Sequence, residues 1–306
     1  MESSNVLRSI FAICLATAGP LLAQPQHETT FAPIVKGLDL ADVDRSEFHS
    51  RFTGHDYHVY VYLPASCRQS DKRYPVLYVP DLDEGFLGVR GVIFWMSMGK
   101  FIGMGDVLEE FILVGVPLKT EGVEDWARKR AFDLTPTDVE ALDTSLGKQF
   151  GGTVHSGGAP LFLRTLKEEL IPFIESKYRT TSDRGLAGFS FGGLFATYAW
   201  LTDGDTFSRY LIGSPSLWWD EKRLVKTEAA VAESGKTLHG RVFLSVGADE
   251  GEIQVGPFRD FTAALTKHAY PDLRWESHIF EAENHLSVIP AATSRGLNFL
   301  YARSRP

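Results

Sequence analysis

Cysteine is almost missing from this chain: 306 residues contain two, Cys14 and Cys67. No cluster of thiols with metal-ligand spacing exists, so neither a zinc site nor a disulfide framework is expected. Basic clusters are missing as well. Lys and Arg total 31 against 39 Asp and Glu, a net charge of −8, and no Lys/Arg run stands out. That argues against nucleic acid or an anionic membrane surface as the main partner. The one long apolar stretch, Ser9 to Leu22, is too short and too early for a membrane span. There is no internal repeat, no low-complexity tract and no obvious linker, so one domain is expected.

The apolar stretch follows Arg8 and ends at Leu21-Leu22-Ala23, which reads as a secretory signal peptide over residues 1–23, cleaved after Ala23. The protein is therefore expected to be exported, periplasmic or secreted. Cleavage removes Glu2 and Arg8 together, leaving the charge at −8, and removes Cys14. The remaining Cys67 has no partner for an internal disulfide and no activating neighbours, so it is read as structural.

Residues 24–50 are polar, mixed and aperiodic, and read as a loosely packed lead-in to a domain covering 51–306. Within it, β-rich runs alternate with helical patterns. Strands are expected at His58–Leu63, Tyr74–Val79, Phe111–Val116, Gly185–Phe189, Tyr210–Ile212, Arg241–Val246 and Arg274–Glu281. Helices are expected at Leu161–Tyr178, with a kink or a restarting first turn at Pro172, and at Leu194–Leu201, Phe258–His268 and Ser287–Tyr301. This rhythm predicts a mostly parallel sheet with helices on both faces. Residues 119–159 break the rhythm and are read as a cap or insertion over the sheet's upper edge.

Gly188-Phe189-Ser190-Phe191-Gly192 matches G-x-S-x-G, with a predicted strand running in and a predicted helix running out. A nucleophile elbow needs that setting, because its serine sits on a strained turn with the hydroxyl exposed. Phe191 would lend one backbone N–H to an oxyanion hole. A serine hydroxyl is a weak nucleophile until a histidine takes its proton. Of the four histidines after Ser190, His239 precedes a strand, His268 ends a helix and His278 falls within a strand. His285 occupies the loop after the last strand, at the sheet's C-terminal edge where ligands bind, and is the expected base. The acid should follow the strand Arg241–Val246, where Asp249, Glu250 and Glu252 are offered and spacing alone does not choose.

An ordered set of segments then resembles a known group. These are Tyr74 to Asp81, Arg130 to Pro136, Gly157-Gly158-Ala159 with Phe162, and Leu170 to Ile174 with Tyr178-Arg179. Gly188 to Leu194, Ser214 to Trp219, Gly247 to Glu250 and His285 to Val288 follow. Together they resemble the "putative esterase" group of α/β-hydrolases, nearest to the enterobactin and ferri-siderophore esterase branch. The resemblance implies the α/β-hydrolase fold, with Ser190 and His285 as nucleophile and base. A G-x-x-E pattern at Gly247 favours Glu250 as acid. It also implies a second oxyanion donor after the early strand, at Leu82, where the group usually carries Gly. Arg130 matches an arginine near the substrate in siderophore-type relatives; as a structural residue it would pair with Asp133. Trp218 is expected in the pocket, and one of Trp218 and Trp219 is expected to pack in the core.

The expected activity is carboxylic-ester hydrolysis through an acyl-enzyme, needing no metal or organic cofactor. The substrate would be a small-molecule or polymer-linked ester, a siderophore-type lactone being what the nearest branch implies. An acyltransferase or a carbohydrate or feruloyl esterase of the same fold is the alternative. A non-catalytic binding protein is the remote one.

Overall fold

The computed structural model describes residues 42–81, 83–100, 102–103 and 107–303. The expected signal peptide and Leu82 lie outside the described residues. Eight strands form one sheet in the order β1-β2-β4-β3-β5-β6-β7-β8: β1 Val43–His49, β2 Asp56–Tyr62, β3 Tyr74–Pro80, β4 Ile112–Val116, β5 Thr180–Phe189, β6 Arg209–Gly213, β7 Gly240–Gly247 and β8 Leu273–Phe280. β1 pairs with β2 and β2 with β4 antiparallel at one edge, and the five remaining pairings are parallel. This is the expected mostly parallel sheet of an α/β-hydrolase.

Side-chain alternation along the central strands explains the two-sided cover. In β3, Val76 and Tyr78 belong to one buried cluster, while Leu77 and Val79 belong to the other. Both faces of a parallel strand are apolar when helices cover both sides. On the second face lie α1 (Asp83–Ser97) and α9 (Val288–Tyr301), with Phe86, Val89, Leu297 and Leu300 in the core. On the first face lie α6 (Phe191–Thr202), α7 (Trp219–Glu233) and α8 (Glu252–His268). α6 is buried almost all round, including Leu194, Phe195, Ala196, Ala199 and Trp200, as a helix wrapped by other elements must be.

The expected helix over 161–178 is three pieces: α4 (Ala159–Thr165), a π turn over Leu166–Leu170, and α5 (Ile171–Lys177). Pro172 has no N–H to continue the ladder, and the Ile171 N–H reaches back to the Leu166 carbonyl. The interruption at Pro172 is thus a π turn followed by a restarting helix, with Pro172 in its first turn.

The lead-in reading fails for residues 43–49, which pair with β2 along their whole length. β1 is an edge strand with mostly polar, partly exposed side chains, so it carries no apolar run to betray it. Residues 119–159 supply α2 (Val123–Leu134) and α3 (Glu140–Phe150). α2 packs against α4 and α6. It is pinned by Asp133, fully buried, whose carboxylate accepts from the Tyr57 hydroxyl at 2.7 Å and lies 2.9 Å from His55 Nδ1.

Candidate active site

β5 ends at the point where the chain reverses into α6. Ser190 sits there at φ 59°, ψ −119°, a conformation costly for a residue with a Cβ. Its N–H donates to the Gly213 carbonyl at 3.0 Å, and its carbonyl accepts from the Ser216 N–H at 3.2 Å. Glycine on both sides is a steric necessity. A Cβ on Gly188 would lie 2.1 Å from the Gly192 carbonyl oxygen, and one on Gly193 would lie 2.7 Å from that of Gly213. The turn leaves Ser190 partly exposed, while the strand before it is buried.

The loop between β8 and α9 carries His285. Asn284 shapes it: its side-chain oxygen accepts from the N–H groups of Leu286 (2.9 Å) and Ser287 (3.1 Å), and its own N–H donates to Ser287 Oγ at 3.0 Å. This closed turn holds His285 between two fixed neighbours. The turn chemistry of Asn and Ser is legible in Asn284-His285-Leu286-Ser287, although neither residue is among the site residues expected from the sequence.

Three acids were offered by the loop after β7, and their environments differ. Asp249 is exposed, and Glu252 pairs with Arg259 at the surface. The Glu250 side chain is 1% exposed, and its Oε2 lies 2.6 Å from His285 Nδ1. Its Oε1 accepts from the Gly247 N–H and from Ser214 Oγ, both at 2.7 Å. A carboxylate only accepts, so in the neutral imidazole this contact favours the tautomer with its proton on Nδ1 and a lone pair on Nε2. Two loops must approach closely for this. The Asp249 N–H donates to the Glu283 carbonyl at 3.0 Å, and a Cβ on Gly247 would lie 2.2 Å from that oxygen.

Ser214, at φ 41°, belongs to the same network. Its carbonyl and that of Pro215 accept from Gln254 Nε2 at 2.6 and 3.0 Å, and Gln254 Oε1 accepts from Trp218 Nε1 at 2.9 Å. Neither Ser214 nor Gln254 was singled out from sequence for a role in the site. Trp218 is half-buried; Trp219 is 1% exposed and donates to Thr137 Oγ1 at 3.1 Å, tying α7 to the segment before α3. Trp219 is thus the packing member of the pair.

The structural alternative for Arg130, an ion pair with Asp133, is not formed. Asp133 is engaged by His55 and Tyr57, whereas Arg130 donates through Nε and Nη2 to the two carboxylate oxygens of Asp81, each at 2.7 Å. Asp133 is on the buried side of α2, three residues along, and a planar fork prefers a carboxylate it can meet squarely. The other histidines after Ser190 have partners of their own: His268 Nδ1 is 2.8 Å from Glu228 on α7, His278 meets the Phe280 ring at a tilt, and His239 stands beside Asp205. Among the described residues, no group of three or more His, Cys, Asp or Glu is arranged to hold a metal ion. Cys67 is half-buried, its carbonyl engaged by Arg179.

A doubly covered parallel sheet, with a serine on a strained strand-to-helix turn and a Glu–His pair at its C-terminal edge, defines an α/β-hydrolase of esterase type. The comparison with known proteins agrees. Residues 50–285 match the model of the esterase family described as "Putative esterase", and the chain belongs to that family; with the esterases it resembles, this makes it a carboxylic-ester hydrolase. The ferri-bacillibactin esterase BesA of Bacillus subtilis is 27% identical over 256 residues, covering 82% of this chain and 86% of that protein. The siderophore triacetylfusarinine C esterase of Aspergillus fumigatus is 26% identical over 253 residues, covering 74% and 81%. An IroE-like serine hydrolase from Shewanella oneidensis superposes with a TM-score of 0.70 at 26% identity, over 84% of this chain and 79% of that one.

Proposed function

We propose that this protein is an exported serine esterase that cleaves siderophore-type esters through an acyl-enzyme on Ser190. The observation that carries the mechanism is the 2.6 Å contact of the buried Glu250 carboxylate with His285 Nδ1. It fixes the imidazole tautomer and stabilises the imidazolium that forms when Nε2 takes a proton.

In the first half-reaction, Ser190 Oγ attacks the ester carbonyl carbon as its proton passes to His285 Nε2. The carbonyl oxygen becomes an oxyanion, met by the Phe191 N–H at the start of α6, where the helix's free N–H groups and dipole favour negative charge. Collapse expels the alcohol, which leaves with the proton from His285. Water then attacks the acyl-enzyme, giving its proton to His285, and the acid departs as Ser190 Oγ recovers that proton. Trp218, half-buried beside Phe191 at a ring separation of 6.3 Å, is the residue offered for contact with the substrate.

The substrate class rests on the two curated relatives, each named for hydrolysis of a siderophore, at matched lengths covering most of both chains. Export rests on the pattern of residues 1–23. The test compares wild type with Ser190→Ala on short-chain p-nitrophenyl esters and on ferric tri-ester siderophores, with folding checked by circular dichroism. Loss of several orders of magnitude in the variant is expected on both substrates. A variant that keeps its rate overturns the nucleophile. A wild type that turns over simple esters but leaves the siderophores intact overturns the substrate class.

A further inference from the structure

We infer that Arg130 serves this site by neutralising Asp81 beside the oxyanion end of α6, and not by anchoring substrate. The inference rests on the proposed reading of Ser190 and Phe191. Asp81 immediately follows β3 and is held at φ 97°, deep in the region that disfavours side chains. A Cβ on Gly192 would lie 3.3 Å from Asp81 Oδ2, so the carboxylate lies against the first turn of α6. That turn is where the oxyanion is stabilised, one residue from the Phe191 N–H.

A helix N-terminus attracts any nearby anion. Asp81 and a developing oxyanion would therefore compete for the same positive end and repel one another across a partly dry site. Asp81 and Arg130 are both 11% exposed, so solvent screens the carboxylate weakly. Arg130 cancels it with two parallel hydrogen bonds of 2.7 Å. The guanidinium carbon stands 5.2 Å from the ring centres of both Trp126 and Phe191, which hold the fork in place through cation–π contact. Nε and Nη2 are committed to Asp81, so that edge of the guanidinium serves the carboxylate and not a ligand. Arg130 is thus a charge-compensating, positioning residue, delivered to the elbow by α2, which packs against α6.

The test uses a small neutral ester, p-nitrophenyl acetate, on which a substrate anchor for anions has nothing to hold. Arg130→Met should lower kcat by roughly 10²-fold, the order seen for losing oxyanion stabilisation, with KM little changed. Affinity for an alkyl boronic acid, which becomes anionic when it bonds to Ser190, should fall in parallel. Adding Asp81→Asn to Arg130→Met removes the uncompensated charge and should restore kcat at least tenfold. A structural role for the ion pair would give no such rescue. The inference is overturned if the double variant is as slow as the single one, or if Arg130→Met changes only KM for anionic esters. Arg130→Lys, which keeps the charge, covers the case in which Arg130→Met does not fold; a loss beyond about tenfold in its kcat equally overturns the inference. Ser190→Ala is run alongside. If it keeps its rate, the reading of the site has failed; if it is inactive and the rescue is absent, only the role of Arg130 has.

Discussion

Ser214 donates its hydroxyl to Glu250 Oε1 at 2.7 Å from a backbone held at φ 41°. The same carboxylate receives the Gly247 N–H and meets His285 Nδ1, so the acid is fixed by three donors reaching it from the ends of three neighbouring strands. Removing one should loosen it without abolishing the pair. Ser214→Ala is expected to lower kcat/KM about tenfold, close to the value of one buried hydrogen bond. Steady-state rates on a p-nitrophenyl ester check this, and an unchanged rate would show that Ser214 contributes nothing to the alignment of Glu250.

Glu250→Gln should be far more damaging. An amide in place of the carboxylate favours the wrong imidazole tautomer, and the loss of kcat should approach 10⁴-fold. Asp249→Asn, one residue away and exposed, should stay within about twofold of wild type, as a surface change away from any buried contact does. If the two variants exchange phenotypes, the assignment of the acid is wrong.

Gly247→Ala tests the meeting of the two loops. The added methyl would sit 2.2 Å from the Glu283 carbonyl oxygen and 3.1 Å from Glu250 Oε1, so one loop must move. The variant should unfold at lower urea, with a loss of about 1–3 kcal/mol, and should lose activity beyond what that destabilisation explains. Denaturation and kinetics on the same preparation separate the two effects.

Asp143 on α3 offers a stability test distant from the chemistry. Burial raises its pKa, against the opposing pull of hydrogen bonding from Ser156, and its Oδ1 has no partner. A carboxyl group whose folded pKa is raised binds more protons folded than unfolded. Its contribution therefore falls as pH rises from the ordinary carboxylate value through the raised one. Wild type should lose this component across that window, and Asp143→Asn should not. Urea midpoints above and below the window read the difference, and parallel curves for the two proteins would refute it.

Much of the sheet could be read from the chain because its strands carry a local signal. Tyr74–Pro80 and Ile112–Val116 are continuously buried, and the apolar run needed for two-sided cover is visible in sequence. β1 could not be read so, for its residues are polar and its strand identity comes from pairing with β2. α1 and α7 were likewise missed. α1 is rich in glycine and β-branched residues, including Gly85, Gly88, Gly91 and Val92, which weaken a helical pattern. α7 begins with the left-handed residues Asp220, Glu221 and Lys222, which no propensity predicts.

By itself the sequence determined the α/β class, the elbow around Ser190 and the place of His285, since each depends on neighbours in the chain: a strand before, a helix after, a glycine where a Cβ cannot fit. Spacing left three acids open and the family resemblance favoured Glu250; only the tertiary structure showed its contact with His285, that Ser214 and Gln254 join it, and that Arg130 turns to Asp81 and away from Asp133. Those choices depend on distances between loops that lie 35 to 49 residues apart along the chain. Such distances are set by the packing of the sheet and its helices, which no local pattern encodes.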